Sequence, residues 1–439
     1  MSTSLLIQKG RIVDPSQNID EVLDLLIENG KIQKIAKNIS AGEVEIFDAR
    51  GKIVAPGFID LHVHFREPGF EHKETILTGM RSAAMGGFTA VCCMPNTEPA
   101  MDEPGTVGFV LLKAKEGNLI RVYPIGAATR GREGKVMTEI GHLKKAGVIA
   151  ISDDGEPIYD AYMMRRVMEY AHMFGLKVID HCEDKNLSQQ GVMNEGYMST
   201  LLGLTGIPSV AEEVMVMRDI LMSQYTQIPV HLAHLSTRGS VDLVRWAKAK
   251  GLPVTAETAP HYFSLSDEEM TSYRTEFKMN PPLRTREDVK AIQEGLKDGT
   301  LDAIATDHAP HQEVEKEVEF DMAPFGIIGL ETSVGLGLNH LVHPGILTLS
   351  KWIDKMSCRP AQILNLPGGN LRVGENGDVT ILDLGKEWSV GEIPFESKSK
   401  NSPFREIKLK GKAVGTIVGG RVVMRDGEVI SKIKDQKSK

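Results

Sequence analysis

Apolar and polar residues follow two different rhythms along this chain. At both ends, short runs rich in β-branched residues are separated by glycine-centred turns. LLIQKGRIVDP, DLLIENGKIQKIA and VEIFDARGKIVAPG carry Lys9-Gly10, Asn29-Gly30 and Arg50-Gly51; GDVTILDLG and REIKLKGKAVGTIVGGRVVMRDGEVI carry Gly377-Asp378, Gly419-Gly420 and Asp426-Gly427. Asn-Gly between two apolar runs predicts a hairpin, because both turn residues tolerate positive φ. Neither end has enough strands to cover its own apolar face. The two are therefore expected to pair into one small β domain, residues 1–56 plus 366–439. The polar tail from Lys432 to Lys439 is expected to fray.

Between them, over 57–365, eight short apolar runs each end in polar or turn residues: GFIDLHVHF, FTAVCCMPN, RVYPIGAAT, VIAISDDG, KVIDHCE, PVHLAHLS, PVTAETAPH and AIATDHAPH. Stretches with helical patterning separate them. Asp160 to Phe174 is one, and Ala211 to Tyr225 is another, with Val214, Met217, Ile220 and Leu221 as its apolar stripe. Strand and helix alternating in this way imply parallel pairing, and eight repeats is the number that closes a (β/α)8 barrel. The fold class expected is α/β, a TIM-type barrel with a small β domain built from both chain ends. A doubly wound open sheet is the alternative, but no glycine-rich phosphate turn supports it.

The polar residues at the run ends change the picture from fold to chemistry. His62 and His64, two apart on one strand, project to the same side. Asn96, Asp153 and Asp154, His181, His234, His261, and Asp307, His308 and His311 stand at the ends of other runs. Core packing does not ask for acids and histidines at equivalent strand ends, and solvation would not choose one end. Four histidines and two aspartates are the ligand inventory of a two-metal site, in which two divalent ions about 3.5–4 Å apart activate water and polarise a carbonyl. The shared carboxylate is Asp153 or Asp154; strand alternation does not decide between them. Asp307 can bind metal and also move a proton. Arg66, Asn96, Asn280 and His311 remain as donors without a metal, and the planar fork of Arg66 suits a substrate carboxylate.

Composition narrows the class without adding chemistry. The chain has 439 residues, a formal net charge of -8 and no basic block, which argues against nucleic acid as a partner. No signal peptide and no bilayer-length apolar run is seen. Cys92, Cys93, Cys182 and Cys358 lack zinc-ribbon or CxxC spacing, so reduced thiols in a cytoplasm are expected.

DLHVHFREPG, MPNT, SDDG, HCED, HLAHLS, ETAPHYF, KMNPPLR, ATDHAPH and APFGIIGLET together resemble the amidohydrolase superfamily, and within it the long-chain (type I) dihydroorotases. The resemblance spans nearly the whole chain. It implies reversible cyclisation of N-carbamoyl-L-aspartate to L-dihydroorotate in pyrimidine synthesis, by a metal-bridged hydroxide and an aspartate acid/base. By position, His62, His64 and Asp307 would hold one metal, His181 and His234 a second, and Asp154 would bridge them. Arg66, Asn96, Asn280 and His311 match substrate contacts, and Phe325 with Gly326 matches a segment whose backbone touches the ring. Zinc is the expected metal, two ions per chain, although cobalt and manganese suit such ligands too. His231 lies on the opposite strand face from His234 and is left out. Aspartate transcarbamoylase is a candidate partner, and homo-oligomerisation is open. A related cyclic amidase acting on hydantoins, dihydropyrimidines or allantoin is the alternative activity, and a non-catalytic structural relative is the alternative class. The charged stretch from His311 to Ala323 is expected to be a mobile, solvated loop between two anchored ends.

Overall fold

The computed structural model describes residues 4–40, 42 and 44–430; the tail from Lys432 to Lys439 lies outside them. The two chain ends form one nine-stranded sheet. Ile53–Pro56 joins them, lying parallel to Ser4–Asp14 on one side and antiparallel to Val379–Ser389 on the other. Ile19–Glu28 and Lys31–Ala36 form the hairpin that Asn29-Gly30 predicts, with φ of 52° and 76° at the two turn residues. Lys9-Gly10 is not a turn. Strand Ser4–Asp14 runs straight through it as a bulge, with Lys9 at φ 60°. Glycine is needed there because a Cβ would stand 2.3 Å from Val54 Cγ2 on the neighbouring strand.

The eight apolar runs form the eight strands of a parallel barrel. They are Phe58–Val63, Phe88–Cys93, Arg121–Pro124 continuing as Gly126–Ala127, Ala150–Ser152, Lys177–Asp180, Val230–Leu232, Val254–Thr258 and Ala303–Ile304. The ring closes where Val63 bridges His308 in parallel and the His64 N–H donates to the His308 carbonyl at 2.9 Å. One apolar cluster joins strand residues such as Phe58, Val91, Val178 and Val230 to helix residues such as Met80, Met164, Val216 and Ile292. That burial, about 25 cal/mol for each Å² of apolar surface, fixes the strands that carry the site. No helix among the described residues is long and apolar enough to cross a membrane.

Helix Ala161–Met173 starts where Asp160 accepts from the Met163 N–H at 2.7 Å. Helix Val210–Thr226 forms as expected, but of the predicted stripe only Ile220 is fully buried. Val214 and Leu221 are exposed, while Glu212, Met215, Val216, Asp219, Ile220 and Ser223 face inward. The inward acids are buried because they are partnered. Glu212 accepts from the Ser236 N–H (3.1 Å) and Thr237 N–H (3.2 Å), just beyond His234, and Asp219 pairs with Arg218 at 2.6 Å. Counting only apolar residues therefore turned the helix away from its real inner face.

Candidate active site

Strand ends bring the predicted residues to one mouth of the barrel, around a cavity of about 310 Å³. His62 is fully buried, and its Nε2 lies 3.2 Å from Asp154 Oδ2 and 3.6 Å from Asp307 Oδ1. His64 Nε2 lies 3.1 Å from Asp307 Oδ1 and 3.6 Å from Asp154 Oδ2. On the other side, His234 Nε2 is 3.3 Å from Asp154 Oδ1 and 3.0 Å from His181 Nδ1, which itself is 3.7 Å from Asp154 Oδ1. One carboxylate thus presents one oxygen to His62 and His64 and the other to His181 and His234. His234 and Asp307 hold positive φ, 34° and 50°, backbone geometry that is sparsely populated without glycine and concentrates at functional sites.

The adjacent aspartates are now distinguished. Asp153 turns away and accepts from the Ala128 N–H (2.9 Å), the Thr129 N–H (3.0 Å) and the Thr129 hydroxyl (2.5 Å). Burial raises its pKa. Burial also opposes ionisation of Asp154, but the charges of His62, His234 and His64 override it and hold that carboxyl well below its usual range. Asp307 is likewise held low, by His64, His62 and His234 against its burial. Burial disfavours a charged His62, yet Asp154, Glu257 and Asp307 raise its pKa well above the usual value.

This donor set fits a metal. His62 Nε2, turned to the centre, is buried without a hydrogen-bond partner although oxygens of Asp154 and Asp307 stand before it. His181 and His234 aim nitrogens at each other, a contact in which one of the two must lack a proton. His62, His64 and Asp307 form one set of atoms close enough to share an ion, and His62, Asp154 and His234 form another. Imidazole and carboxylate donors suit zinc and its neighbours.

The remaining predicted residues line the same cavity: Arg66, Asn96, Asn280, His311, Phe325 and Gly326. Burial lowers the Arg66 guanidinium to a pKa of about 10, still charged at neutral pH. It donates through Nε to the Pro310 carbonyl (3.2 Å) and lies 3.4 Å from His311 Nε2. His311 Nε2 donates to the Phe325 carbonyl at 2.9 Å, and the Gly326 N–H donates to the Lys278 carbonyl at 3.0 Å. Those two backbone groups are therefore already engaged. Asn96 Oδ1 accepts from His64 Nδ1 at 2.7 Å, leaving its amide N–H₂ as the free end.

Two other histidines at run ends, His308 and His261, and the mid-strand His231 stand outside the cluster. His308 accepts from the Gly329 N–H at Nδ1 (3.2 Å) and faces Glu74 from Nε2 (3.3 Å). His261 meets the Tyr262 ring edge-on with centroids 4.1 Å apart, and burial lowers its pKa to about 4. His231 faces Glu257 at 3.2 Å. Sequence reading missed the carboxylates behind the ligands. Glu257 stands 3.3 Å from His62 Nδ1, and Glu183 stands 3.0 Å from His181 Nε2 and 2.9 Å from Asn280 Nδ2. Glu183 is two residues from His181 and Glu257 falls mid-run in PVTAETAPH, so the alternation that found His64 could have found both. The charged stretch after His311 also differs from expectation. It holds a short helix, Glu313–Lys316, and Lys316 is buried with its ammonium bonded to backbone carbonyls.

Comparison with known proteins agrees with this geometry. A family model described as Dihydro-orotase-like matches residues 51–240. The dihydroorotase of Acetivibrio thermocellus is 51% identical over 422 residues, covering 96% of this chain and 99% of its own. That of Endomicrobium trichonymphae is 55% identical over 420 residues, covering 95% and 99%. Among solved structures, the L-hydantoinase (dihydropyrimidinase) of Arthrobacter aurescens superposes with a TM-score of 0.88 at 25% identity, covering 98% of both chains. The dihydropyrimidinase of Brevibacillus agri gives 0.86 at 21% identity, over 98% and 96%, a likeness of fold.

Proposed function

The chain belongs to the dihydroorotase family of metal-dependent cyclic amidohydrolases, and from that premise we propose that its barrel-mouth cavity interconverts N-carbamoyl-L-aspartate and L-dihydroorotate. The observation that carries the reading is Asp154, whose two oxygens are divided between His62 with His64 and His181 with His234, across the cavity from the half-buried Arg66.

His62, His64 and Asp307 would hold one ion and His181 and His234 a second, with Asp154 shared. Such a pair, zinc by its donor set, supplies a water that ionises near neutral pH and a Lewis acid for the amide carbonyl. The residues do the rest. Arg66 grips the ring carboxylate by its planar fork, and the free amide N–H₂ of Asn96 and the imidazole of His311 orient the ring beside it. Asp307 lines the cavity with its Oδ1 3.1 Å from His64 Nε2, which places a carboxylate where it can take the proton of the attacking water. Water adds to the ring amide carbon, the C–N bond breaks, and Asp307 returns the proton to the departing nitrogen. In cyclisation the same nitrogen attacks the side-chain carboxyl carbon and water leaves. Cavity walls on strand ends keep these groups in register.

The test is turnover of both compounds by the purified chain, with metal content measured on the same sample. Chelator-sensitive turnover with two zinc ions per chain is expected. Turnover of hydantoin or dihydrouracil in preference to dihydroorotate would favour the related cyclic amidases, whose fold this chain shares at 25% identity or less. The domain boundaries belong to the same reading: residues 57–365 as the catalytic barrel, 1–56 plus 366–439 as the β domain. Four buried, unpaired cysteines support a cytoplasmic location. Aspartate transcarbamoylase, which makes N-carbamoyl-L-aspartate, is the partner to test by co-elution, and self-association by light scattering.

A further inference from the structure

The cavity wall that carries His311, Phe325 and Gly326 is an excursion of the chain over residues 309–326, and its shape is imposed from outside the cavity. Asn401 lies on the segment that crosses back from the β sheet, and it is buried. Its Oδ1 accepts from the His311 N–H at 3.1 Å, and its amide donates to the Ala309 carbonyl at 3.3 Å and the Gly326 carbonyl at 3.1 Å. One side chain therefore ties together the two ends of the excursion.

Within the excursion, Lys316 acts from the opposite side. Its ammonium donates to the carbonyls of Thr275 (3.1 Å), Lys278 (3.2 Å) and Pro324 (2.7 Å). Three donors meet three acceptors, which satisfies the group's hydrogen bonding, although burial still lowers its pKa to about 7. Lys278 continues the clamp, donating to the Phe320 and Asp321 carbonyls at 2.9 and 2.8 Å and lying over the Phe325 ring at 4.8 Å. Moving the wall by one residue would strand all of these donors at once. Neither Asn401 nor Lys316 lines the cavity.

We propose that Asn401 and Lys316 are positioning residues that hold the His311–Gly326 wall in its substrate-binding shape. The inference rests on the cavity being the dihydroorotase site. On that reading the substrate is an anionic cyclic amide, and the wall carries His311, whose Nε2 lies 3.4 Å from the Arg66 guanidinium.

The experiment compares the full-length chain with Asn401→Ala and Lys316→Met. Ring opening of L-dihydroorotate, metal content, and cleavage by a glutamate-specific protease without substrate are measured on each. Both variants are expected to raise KM about tenfold with kcat within about threefold, because a displaced wall weakens capture more than chemistry. Metal content stays at the wild-type value, and cleavage at Glu313 to Glu319 becomes faster. Unchanged KM, or a fall of kcat together with metal content, overturns the proposal. Where Asn401→Ala does not accumulate as a folded chain, Lys316→Met decides alone. If the wild type does not turn over dihydroorotate, the functional reading fails separately. Cleavage then judges the clamp: faster cutting in Lys316→Met supports it and unchanged cutting overturns it.

Discussion

Exchanging each of two adjacent aspartates for asparagine should give opposite kinds of damage. Asp154→Asn is nearly isosteric, but it removes the charge that faces four histidines at 3.2 to 3.7 Å. A neutral amide cannot offset two cations, and its N–H₂ would point a donor where a ligand oxygen is needed. Bound metal should fall and turnover should drop by at least about a thousandfold, on the order of 4 kcal/mol of transition-state stabilisation. Asp153→Asn keeps an oxygen for the Ala128 and Thr129 N–H groups and removes only the acceptor of the Thr129 hydroxyl. Losing that one acceptor costs about 1–2 kcal/mol and, spread over a chain of 439 residues, lowers the melting temperature by about 1–2 °C. Metal content should remain as in the wild type. The assay is elemental analysis of dialysed protein beside dihydroorotate turnover and thermal melting. Loss of metal in Asp153→Asn with retention in Asp154→Asn would refute the assignment.

Further outcomes are expected from other parts of the molecule. Arg66→Ala should raise KM by on the order of a hundredfold, as for loss of one partner of a desolvated charge pair, and Arg66→Lys should recover only part of it; initial rates over a substrate series check both. Glu212→Ala removes the acceptor of the Ser236 and Thr237 N–H groups and should cost about 3–5 kcal/mol in denaturant unfolding. Burial raises the Glu331 carboxyl to about 7 from 4.5, although Ser82 and Ser397 donate to it. A raised folded-state pKa means stability is full below pH 4.5 and is lost as pH rises through about 7, by about 3 kcal/mol at most. Glu331→Gln should therefore melt higher than wild type at pH 8 and equally at pH 4.5; a constant offset at both would remove that carboxyl as the cause.

The barrel was legible because each strand is short, apolar and stopped by a polar residue that the site needs. That punctuation marked His62, His64, His181, His234 and Asp307 together with His261 and His308, the family resemblance singled out the five, and the structure brings them around Asp154. What stayed hidden depends on partners far away in sequence. Glu212 sits on the inner face of its helix only because Ser236 and Thr237 wait there, which no apolar count can reveal. Lys316 reads as one charge among many until three carbonyls from two segments close on it. Lys9-Gly10 has the composition of a turn, and only the neighbouring Val54 shows why glycine is required inside a strand.

The same contrast explains how the site is made rigid. Three of the four clustered histidines have a carboxylate or amide at the ring nitrogen that faces away from the centre: Glu257 for His62, Asn96 for His64 and Glu183 for His181. A group in that place fixes ring orientation and sets which nitrogen is left to bind, an effect usually worth about 10–100-fold in metal affinity. Asn96 and Glu183 do a second thing as well. Asn96 spends its oxygen on His64 and keeps its N–H₂ at the cavity, while Glu183 accepts from both His181 and Asn280. Cavity-lining amides are thereby held by the groups that orient the histidines. A shift in the ligand shell must move Asn96 and Asn280 with it, so metal loading and substrate affinity should change together when either of these two contacts is cut.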